Sequence, residues 1–151
     1  KRIILDAGAL SCFKNKLGTL VKILSGKDVI ITPHEGELIS ILPNLSGSLI
    51  DKALKAAKIL NSIVVLKGAT TVIASPNNKA LVNTAGAKWL ATAGSGDVLA
   101  GIIGGLLSNK MDTFYAAAYA VWLHSEAGKH LGPGLVAEDI PKILPKILKI
   151  I

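Results

Sequence analysis

Aromatic residues and cysteine are scarce in this sequence of 151 residues. It contains two Trp, two Tyr and two Phe although half of it is hydrophobic, so its core must consist of Ile, Leu, Val and Ala. Such aliphatic cores are typical of buried sheets covered by helices. The single cysteine, Cys12, excludes an internal disulfide and leaves a zinc site without a second thiolate. These absences predict a reduced, cytoplasmic protein.

Arginine and long apolar segments are scarce as well. Arg2 is the sole arginine, and the other cations are lysines spread along the chain without interleaved aromatic residues. Lysine lacks the forked geometry by which arginine reads bases, so the net charge of +7 does not predict nucleic-acid binding. The charge instead favours the attraction of anionic small molecules. No apolar run reaches the roughly 18 to 20 residues of a membrane span, so no membrane association is expected.

Short apolar segments alternate with amphipathic ones along the chain. The apolar segments predict strands, two of which flank a Pro-Asn-Asn turn as in a hairpin, and the amphipathic segments predict helices. This alternation indicates an α/β fold with a largely parallel sheet, and we expect residues 1–151 to form a single domain. The predicted strands are 3–5, 29–31, 63–66, 71–74 and 80–82, and the predicted helices are 15–24, 35–42, 48–60, 96–107, 112–131 and one after residue 137.

The segment most suggestive of chemistry is ATAGSGDVLAG at 91–101. Gly94 and Gly96 allow the backbone to curl, so that N–H groups converge at a helix start where the positive end of the dipole favours a phosphate. Asp97 in the first turn is placed to accept a proton from an attacking hydroxyl. The segment alone is equally compatible with a tight turn in which Asp97 only complements the helix dipole.

Two further polar loops follow predicted strands. Residues 67–71 offer an ammonium group, a glycine and hydroxyls for the phosphates and ribose of a nucleotide, and residues 34–37 combine an imidazole with two carboxylates. In isolation, a solvated loop lysine, a loop histidine and a favourable helix start explain these residues at least as well. Parallel strands end at one edge of a sheet, however, so the three loops are expected to converge where ligands bind in open α/β sheets.

Small residues recur in the two helices that follow. Gly101, Gly104 and Gly105 in the first helix and the alanines within 116–120 in the second predict a close approach of the two backbones. Close packing would compensate for glycine inside a helix, which costs up to about 1 kcal/mol relative to alanine. Trp122 and His124 are predicted to pack, and we assign them no chemistry.

Several motifs occur together in the order and at the spacing of a known family. TPHEGE at 32–37, VVLKGATTVI at 64–73 and LATAGSGDVLAGIIGGLL at 90–107 resemble the C-terminal two-thirds of the ADP/ATP-dependent NAD(P)H-hydrate dehydratases. WLHSEAG at 122–128 and AED at 137–139 resemble that family too. The resemblance covers nearly the whole chain and implies the ribokinase-like fold, a three-layer α/β/α arrangement.

The resemblance implies a repair reaction on hydrated NADH or NADPH. The hydroxyl of the damaged ring is phosphorylated by ADP or ATP with Mg2+, and phosphate then leaves to restore NAD(P)H. Asp97 is implied as the general base, and the amides before it would stabilise the charge on the transferred phosphoryl group. By role, the implied residues are Asp97, Gly94, Ser95 and Gly96 for catalysis, Lys67, Gly68, Ala69, Thr70, Thr71 and Gly96 for the nucleotide, His34 and Asp97 for the substrate, and Glu37 for the metal.

Two departures from the family pattern matter. The family has a second aspartate where this chain has Gly8, in DAGAL at 6–10. Family members also have an upstream segment of strands, helices and a substrate loop that this sequence lacks. A bare sheet edge is therefore expected, covered by a homo-oligomer or by a second chain that supplies the missing part. The alternatives are a small-molecule kinase of the same superfamily and a catalytically weakened, nucleotide-binding remnant.

Overall fold

A computed structural model describes residues 1–149. The chain forms one sheet with helices on both faces. The strands are β1 (Arg2–Leu5), β2 (Asp28–Ile31), β3 (Ile63–Leu66), β4 (Thr71–Ala74) and β5 (Ala80–Asn83); the helices are α1 (Ala7–Ser11), α2 (Leu17–Leu24), α3 (Glu35–Ile41), α4 (Leu49–Leu60), α5 (Ser95–Ser108), α6 (Thr113–Leu131) and α7 (Asp139–Leu148); and a 3-10 turn spans Lys88–Leu90.

The strand order of the sheet is β1-β2-β3-β4-β5. β1, β2 and β3 run parallel, with Leu5 opposite Ile31 and Ile31 opposite Val64. β4 is antiparallel to β3 and β5 is antiparallel to β4, so four of the five strands share one direction. The largely parallel sheet and the hairpin that the sequence predicts are thereby confirmed. Because parallel neighbours end at one edge, the loops after β1, β2 and β3 emerge side by side.

Alternate strand residues face two separate hydrophobic layers. Val29 and Ile31 contact the layer that contains α1 to α4, whereas Ile30 between them packs with Leu99 and Ile103 of α5. The three strand side chains are at most 2% exposed, and burying each stabilises the fold by about 1.5–3 kcal/mol relative to exposure. This α/β/α layering confirms the predicted architecture and leaves the strand ends free to carry polar loops.

Side chains cap three of the helices. Ser48 and Asp51 form a capping box at the start of α4, where the sequence predicts a helix start. His34 and Glu37 form a second capping box at the start of α3. Asp112 accepts two backbone N–H groups at the start of α6. These caps satisfy N–H groups that a helix leaves without intrahelical partners.

Helix α1 was not predicted from the sequence. It has only five residues, which is too short for a helical periodicity to show. The loop after it contains Asn15 in the left-handed conformation, with φ of 58°, so the helix predicted from residue 15 begins instead at Leu17. Both differences lie between β1 and α2, where local turn geometry determines the backbone more than the apolar pattern does.

The glycines of α5 do not face α6, so that part of the sequence prediction is wrong. Within the described chain, a Cβ at Gly101 or Gly105 would meet no atom within 4 Å, and one at Gly104 would lie 3.7 Å from Cδ1 of Ile4 in β1. α5 packs against α6 instead through an aliphatic stripe that begins at Leu99. The helix has one buried face, and the glycines lie outside it.

α6 is a long helix of 19 residues whose small side chains fit the second layer. Ala116, Ala117 and Ala120 are fully buried there. α7 packs on its far side, where Ile140 is buried against Leu123. Over residues 1–149, no helix combines the length and the apolar character needed to cross a membrane.

Replacing Gly128 by alanine should destabilise the fold. Gly128 lies in α6, where a Cβ would approach Cγ of Leu90 to 2.6 Å and Cβ of Ala87 to 2.9 Å. Relief of this overlap requires the 3-10 turn to move, so we expect the free energy of unfolding to fall by about 1–3 kcal/mol, measured by urea denaturation with circular dichroism. Gly105→Ala is the matched control in open space and should raise stability by up to about 1 kcal/mol. Equal stability of Gly128→Ala and wild type would contradict this packing.

Candidate functional site

The start of α5 has no side-chain cap. Gly94 occupies the N-cap position with a left-handed φ of 82°, a conformation that strains other residues. The N–H groups of Ser95 and Val98 have backbone partners, whereas within residues 1–149 those of Gly96 and Asp97 donate to no other group. Two free donors at the positive end of a helix dipole make this turn suitable for an anion.

Residues of neighbouring loops lie close to both glycines of this turn. A Cβ at Gly94 would lie 3.2 Å from Cβ of Ala137, in the segment between α6 and α7. A Cβ at Gly96 would lie 3.3 Å from Nζ of Lys67 and 3.7 Å from Oδ2 of Asp6. Glycine at position 96 therefore leaves room for an ammonium group and a carboxylate directly beside the start of α5.

Lys67 and Asp6 form an ion pair over this turn, with Nζ and Oδ1 2.7 Å apart. Their side chains are 23% and 11% exposed, so solvent screens the pair less than a surface pair. The N–H of Lys67 donates to the carbonyl of Pro33 at 2.8 Å, which joins the loops after β2 and β3. Together these contacts hold one ammonium group beside the free N–H groups of α5.

His34 and Glu37 engage each other at the start of α3. The N–H of His34 donates to Oε2 of Glu37 at 2.9 Å, and Nδ1 of His34 accepts from the N–H of Glu37 at 3.2 Å. His34 pairs with Lys67 in an isolated bridge and is largely exposed, so it lies at the same sheet edge as the ion pair. In the part of the chain that the structure describes, no three His, Cys, Asp or Glu side chains group as a metal site. Glu37 thus belongs to no such group among the described residues, and its predicted metal role stays a prediction.

Residues 67–70 form the loop between β3 and β4, and Thr71 is the first residue of β4. The hydroxyl of Thr71 donates to the carbonyl of Gly68 at 3.2 Å, which tightens the loop. Gly86 packs against its other side, where a Cβ would lie 2.8 Å from the carbonyl oxygen of Ala69. Gly68 and Ala69 are exposed, and Thr70 is partly buried. Residues 68–71 therefore continue from Lys67 along the edge of the sheet with exposed backbone, and we call this segment the strip of residues 68–71.

Asp97 presents an exposed carboxylate in the first turn of α5. No hydrogen bond or ion pair joins this carboxylate to another side chain or N–H among the described residues. The carboxylate of Asp51 at the start of α4, by contrast, accepts hydrogen bonds from the hydroxyl and the N–H of Ser48. Asp97 is thus available to accept a proton, whereas Asp51 serves the helix end.

His124 contacts the site, although the sequence analysis assigned it to packing alone. Its buried imidazole places Nε2 3.0 Å from the carbonyl oxygen and 3.1 Å from the hydroxyl oxygen of Ser95. Burial lowers the pKa of His124 to about 4; the hydrogen bond with the Ser95 carbonyl opposes this shift, and the charge of Lys67 adds to it. The imidazole is therefore neutral at pH 7. Its place in the WLHSEAG segment was the one sequence signal for this contact.

A cleft of about 380 Å³ lies at the opposite edge of the sheet. It is lined by residues that precede β2 and β3, including Lys27 and Asn61, and by the turn of the β4–β5 hairpin. The predicted site residues do not contribute to its lining. We place the functional site at the edge with Lys67, because the free N–H groups of α5 lie there.

Comparison with known proteins agrees with the geometry of this edge. The sequence profile of the NAD(P)H-hydrate dehydratase family matches residues 1–147, which is almost the entire chain. The chain belongs to this family. The match includes the turn at Gly94, the loop that begins at Lys67 and the segment that contains His124. The roles of individual residues remain predictions.

Three relatives of this dehydratase-family chain are each about twice as long as it is. An ADP-dependent (S)-NAD(P)H-hydrate dehydratase from Xanthomonas campestris is 35% identical over 97% of this chain and 51% of its own length. The ADP/ATP-dependent NAD(P)H-hydrate dehydratase of Bacillus subtilis, co-crystallised with ATP/Mg2+, superposes with a TM-score of 0.83 at 33% identity, over 98% of this chain and 54% of that one. A ribokinase-like superfamily protein from Enterococcus faecalis gives a TM-score of 0.82 at 28% identity, over 99% and 52%. The chain has the ribokinase-like fold and spans about half the length of each of these three proteins.

The buried neutral state of His124 predicts a pH dependence of stability. Between pH 6.5 and about 4 the unfolded chain binds a proton at His124 that the folded chain excludes. The contribution of neutral His124 to the free energy of unfolding is therefore fully present above about pH 6.5. It declines as the pH falls, by up to about 3 kcal/mol near pH 4. The urea concentration at the midpoint of unfolding should fall between pH 7 and pH 5 for wild type. The same midpoint should change less with pH for His124→Gln. His130→Gln, which removes an exposed imidazole of the same helix, should keep the wild-type slope; an equally steep slope in His124→Gln would contradict the assignment.

Proposed function

We propose that this chain carries the nucleotide- and phosphate-binding half of an NAD(P)H-hydrate dehydratase that uses ADP or ATP. The observation that carries the proposal is the pair of free N–H groups at Gly96 and Asp97 beside the ammonium group of Lys67. The names of the Xanthomonas and Bacillus relatives support the substrate and the nucleotide. The single cysteine supports a reduced, cytoplasmic setting.

The terminal phosphate of the nucleotide is proposed to bind at the start of α5. Its negative charge would meet the positive end of the helix dipole and the ammonium group of Lys67. Asp6 balances that ammonium group at 2.7 Å, so the site is not left with an isolated buried charge when no phosphate is bound. The strip of residues 68–71, with its exposed backbone and the hydroxyl of Thr70, is proposed to follow the rest of the nucleotide.

Mg2+ fits this proposal as an ion held chiefly by phosphate oxygens and water. In residues 1–149 no cluster of carboxylates forms a cage, and one oxygen of Glu37 already accepts the N–H of His34. Mg2+ commonly keeps several waters and takes one or two carboxylates together with substrate phosphates, so Glu37 suffices as the protein ligand. When bound, the ion neutralises negative charge on the phosphates.

The proposed reaction requires one proton acceptor from this chain. Asp97 takes the proton of the ring hydroxyl as that oxygen bonds to the terminal phosphorus, and the bond from this phosphorus to the bridging oxygen of the nucleotide breaks. The free N–H groups of the turn stabilise charge on the transferred phosphoryl group. The C–O bond then breaks, phosphate leaves with the original hydroxyl oxygen and takes up the proton that the neighbouring carbon loses, and this loss restores the ring double bond. His34, exposed at the same edge, is proposed to contact the hydrated ring.

The rest of the substrate pocket is proposed to come from another polypeptide segment. The relatives are about twice as long, and β1 is an edge strand whose Ile3, Ile4 and Leu5 are only partly buried. Edge strands with apolar residues are commonly covered by another element. A second chain would serve, and self-association would cover the edge strand. The contrasting candidate is a catalytically weakened, nucleotide-binding remnant, favoured by Gly8, which stands where the resemblance implies a second aspartate.

Asp97→Asn should abolish the recovery of NADH from hydrated NADH in the presence of Mg2+ and ADP or ATP. An amide does not accept the proton, so turnover should fall by about a hundredfold or more while the circular dichroism spectrum is unchanged. Turnover is measured by NADH absorbance. Asp139→Asn is the matched control, because Asp139 also lies in the first turn of a helix, and it should retain wild-type turnover.

The same assay distinguishes the two candidates. Undiminished turnover by Asp97→Asn would refute the role of the carboxylate. If wild type binds ADP–Mg without turnover, a polypeptide corresponding to the remaining half of the relatives is added. Restored turnover supports the dehydratase, and continued inactivity supports the remnant.

Lys67→Met should weaken the binding of ADP–Mg. Loss of one charge-assisted contact to phosphate costs about 1.5–3 kcal/mol, so Kd measured by calorimetry should rise roughly ten- to a hundredfold. Lys52→Met is the matched control, because Lys52 also forms an ion pair of 2.7 Å, with Glu35, and its side chain is 20% exposed. Equal Kd values for the two variants would count against a phosphate contact by Lys67.

A further inference from the structure

His124 supports a peptide group of the anion-binding turn from beneath. Its Nε2 lies 3.0 Å from the carbonyl oxygen of Ser95. A carbonyl oxygen only accepts hydrogen bonds, so Nε2 must carry the hydrogen, which defines the tautomer of the neutral ring. The same N–H lies 3.1 Å from the Ser95 hydroxyl oxygen, and both residues are buried. The imidazole is thus a fixed donor in the middle of the long helix α6.

The carbonyl that His124 holds belongs to the same peptide unit as the N–H of Gly96. A trans peptide is planar, and its C=O and N–H bonds point in opposite directions. No cis peptide bond occurs in the described chain. Fixing the Ser95 carbonyl therefore also fixes the direction of the Gly96 N–H, one of the two free donors at the start of α5.

The Ser95–Gly96 peptide lies in the first turn of α5, and His124 adds a side-chain contact from α6 to it. Glycine has more backbone freedom than any other residue, and Gly94 and Gly96 flank Ser95 on both sides. The glycines admit Lys67 and Ala137 at close range but provide no stiffness of their own. A rigid ring on a packed helix supplies the stiffness that preorganised donors require.

We infer that His124 is a positioning residue for the phosphate site, acting through the Ser95–Gly96 peptide to keep the Gly96 N–H directed at the phosphate. The inference rests on the proposed function, because it takes the phosphate of a nucleotide as the ligand. It assigns the imidazole no contact with the nucleotide and no proton transfer.

The test compares His124→Gln with His124→Met, two side chains of similar length of which only glutamine has an N–H. Without nucleotide, 15N relaxation of the Gly96 amide should report an ordered turn in wild type and His124→Gln and a more mobile one in His124→Met. With ADP–Mg, Kd by calorimetry should stay within about threefold of wild type for His124→Gln and rise about tenfold for His124→Met. Ser125→Ala is the control for general destabilisation, because it removes a buried hydroxyl from the next position of α6 and should leave Kd unchanged.

The outcomes separate this inference from the proposed function. An unchanged Kd and an ordered Gly96 amide in His124→Met would overturn the inference even if wild type binds ADP–Mg. Absence of ADP–Mg binding by wild type would defeat the proposed function, and the relaxation data alone would then decide whether His124 fixes the peptide. If His124→Met does not fold, a tenfold loss of affinity in folded His124→Gln overturns the inference, and retained affinity with an ordered amide supports it.

Discussion

The uncapped start of α5 is the constraint on which the rest of the site depends. Three helices, α3, α4 and α6, satisfy first-turn N–H groups with side chains, as Asp112 does for α6, whereas in the described chain α1, α2 and α7, like α5, have no side-chain cap. At α5 a glycine occupies the N-cap position, and the N–H groups of Gly96 and Asp97 have no partner among residues 1–149. Exposed donors at a helix end favour an anion, and a side chain in the cap position would compete with it. The proposed phosphate would therefore take the place of a helix cap at α5.

The parallel sheet supplies the charges around this helix end. β1 ends at Asp6 and β3 ends before Lys67, and the two side chains meet at 2.7 Å although 61 residues separate them. Parallel pairing through β2 brings these strand ends to one edge. The ion pair also limits the cost of burying either charge alone. Support from below comes from α6, whose His124 reaches Ser95. Sheet and helix thus hold the turn from two sides.

Much of the fold followed from local pattern. Strands buried on both faces appear in the sequence as uninterrupted aliphatic runs, and the start of α4 is marked by Ser48 and Asp51. The short helix α1 was missed because five residues carry no periodicity. The glycines of α5 were assigned to the wrong face, since small residues show that a close approach is possible but not which neighbour makes it. Gly104 in fact faces Ile4 of β1.

Local sequence was sufficient to predict the chemical groups and their place in the chain: a glycine-flanked helix start followed by Asp97, a lysine after a buried strand, and an aliphatic α/β core. These follow from backbone and side-chain propensities that act over a few residues. The contacts between distant groups, Asp6 with Lys67 and His124 with Ser95, became visible in the folded chain alone. Such contacts depend on strand register and on the rotation of α6 against α5, and both are fixed by packing of the whole core.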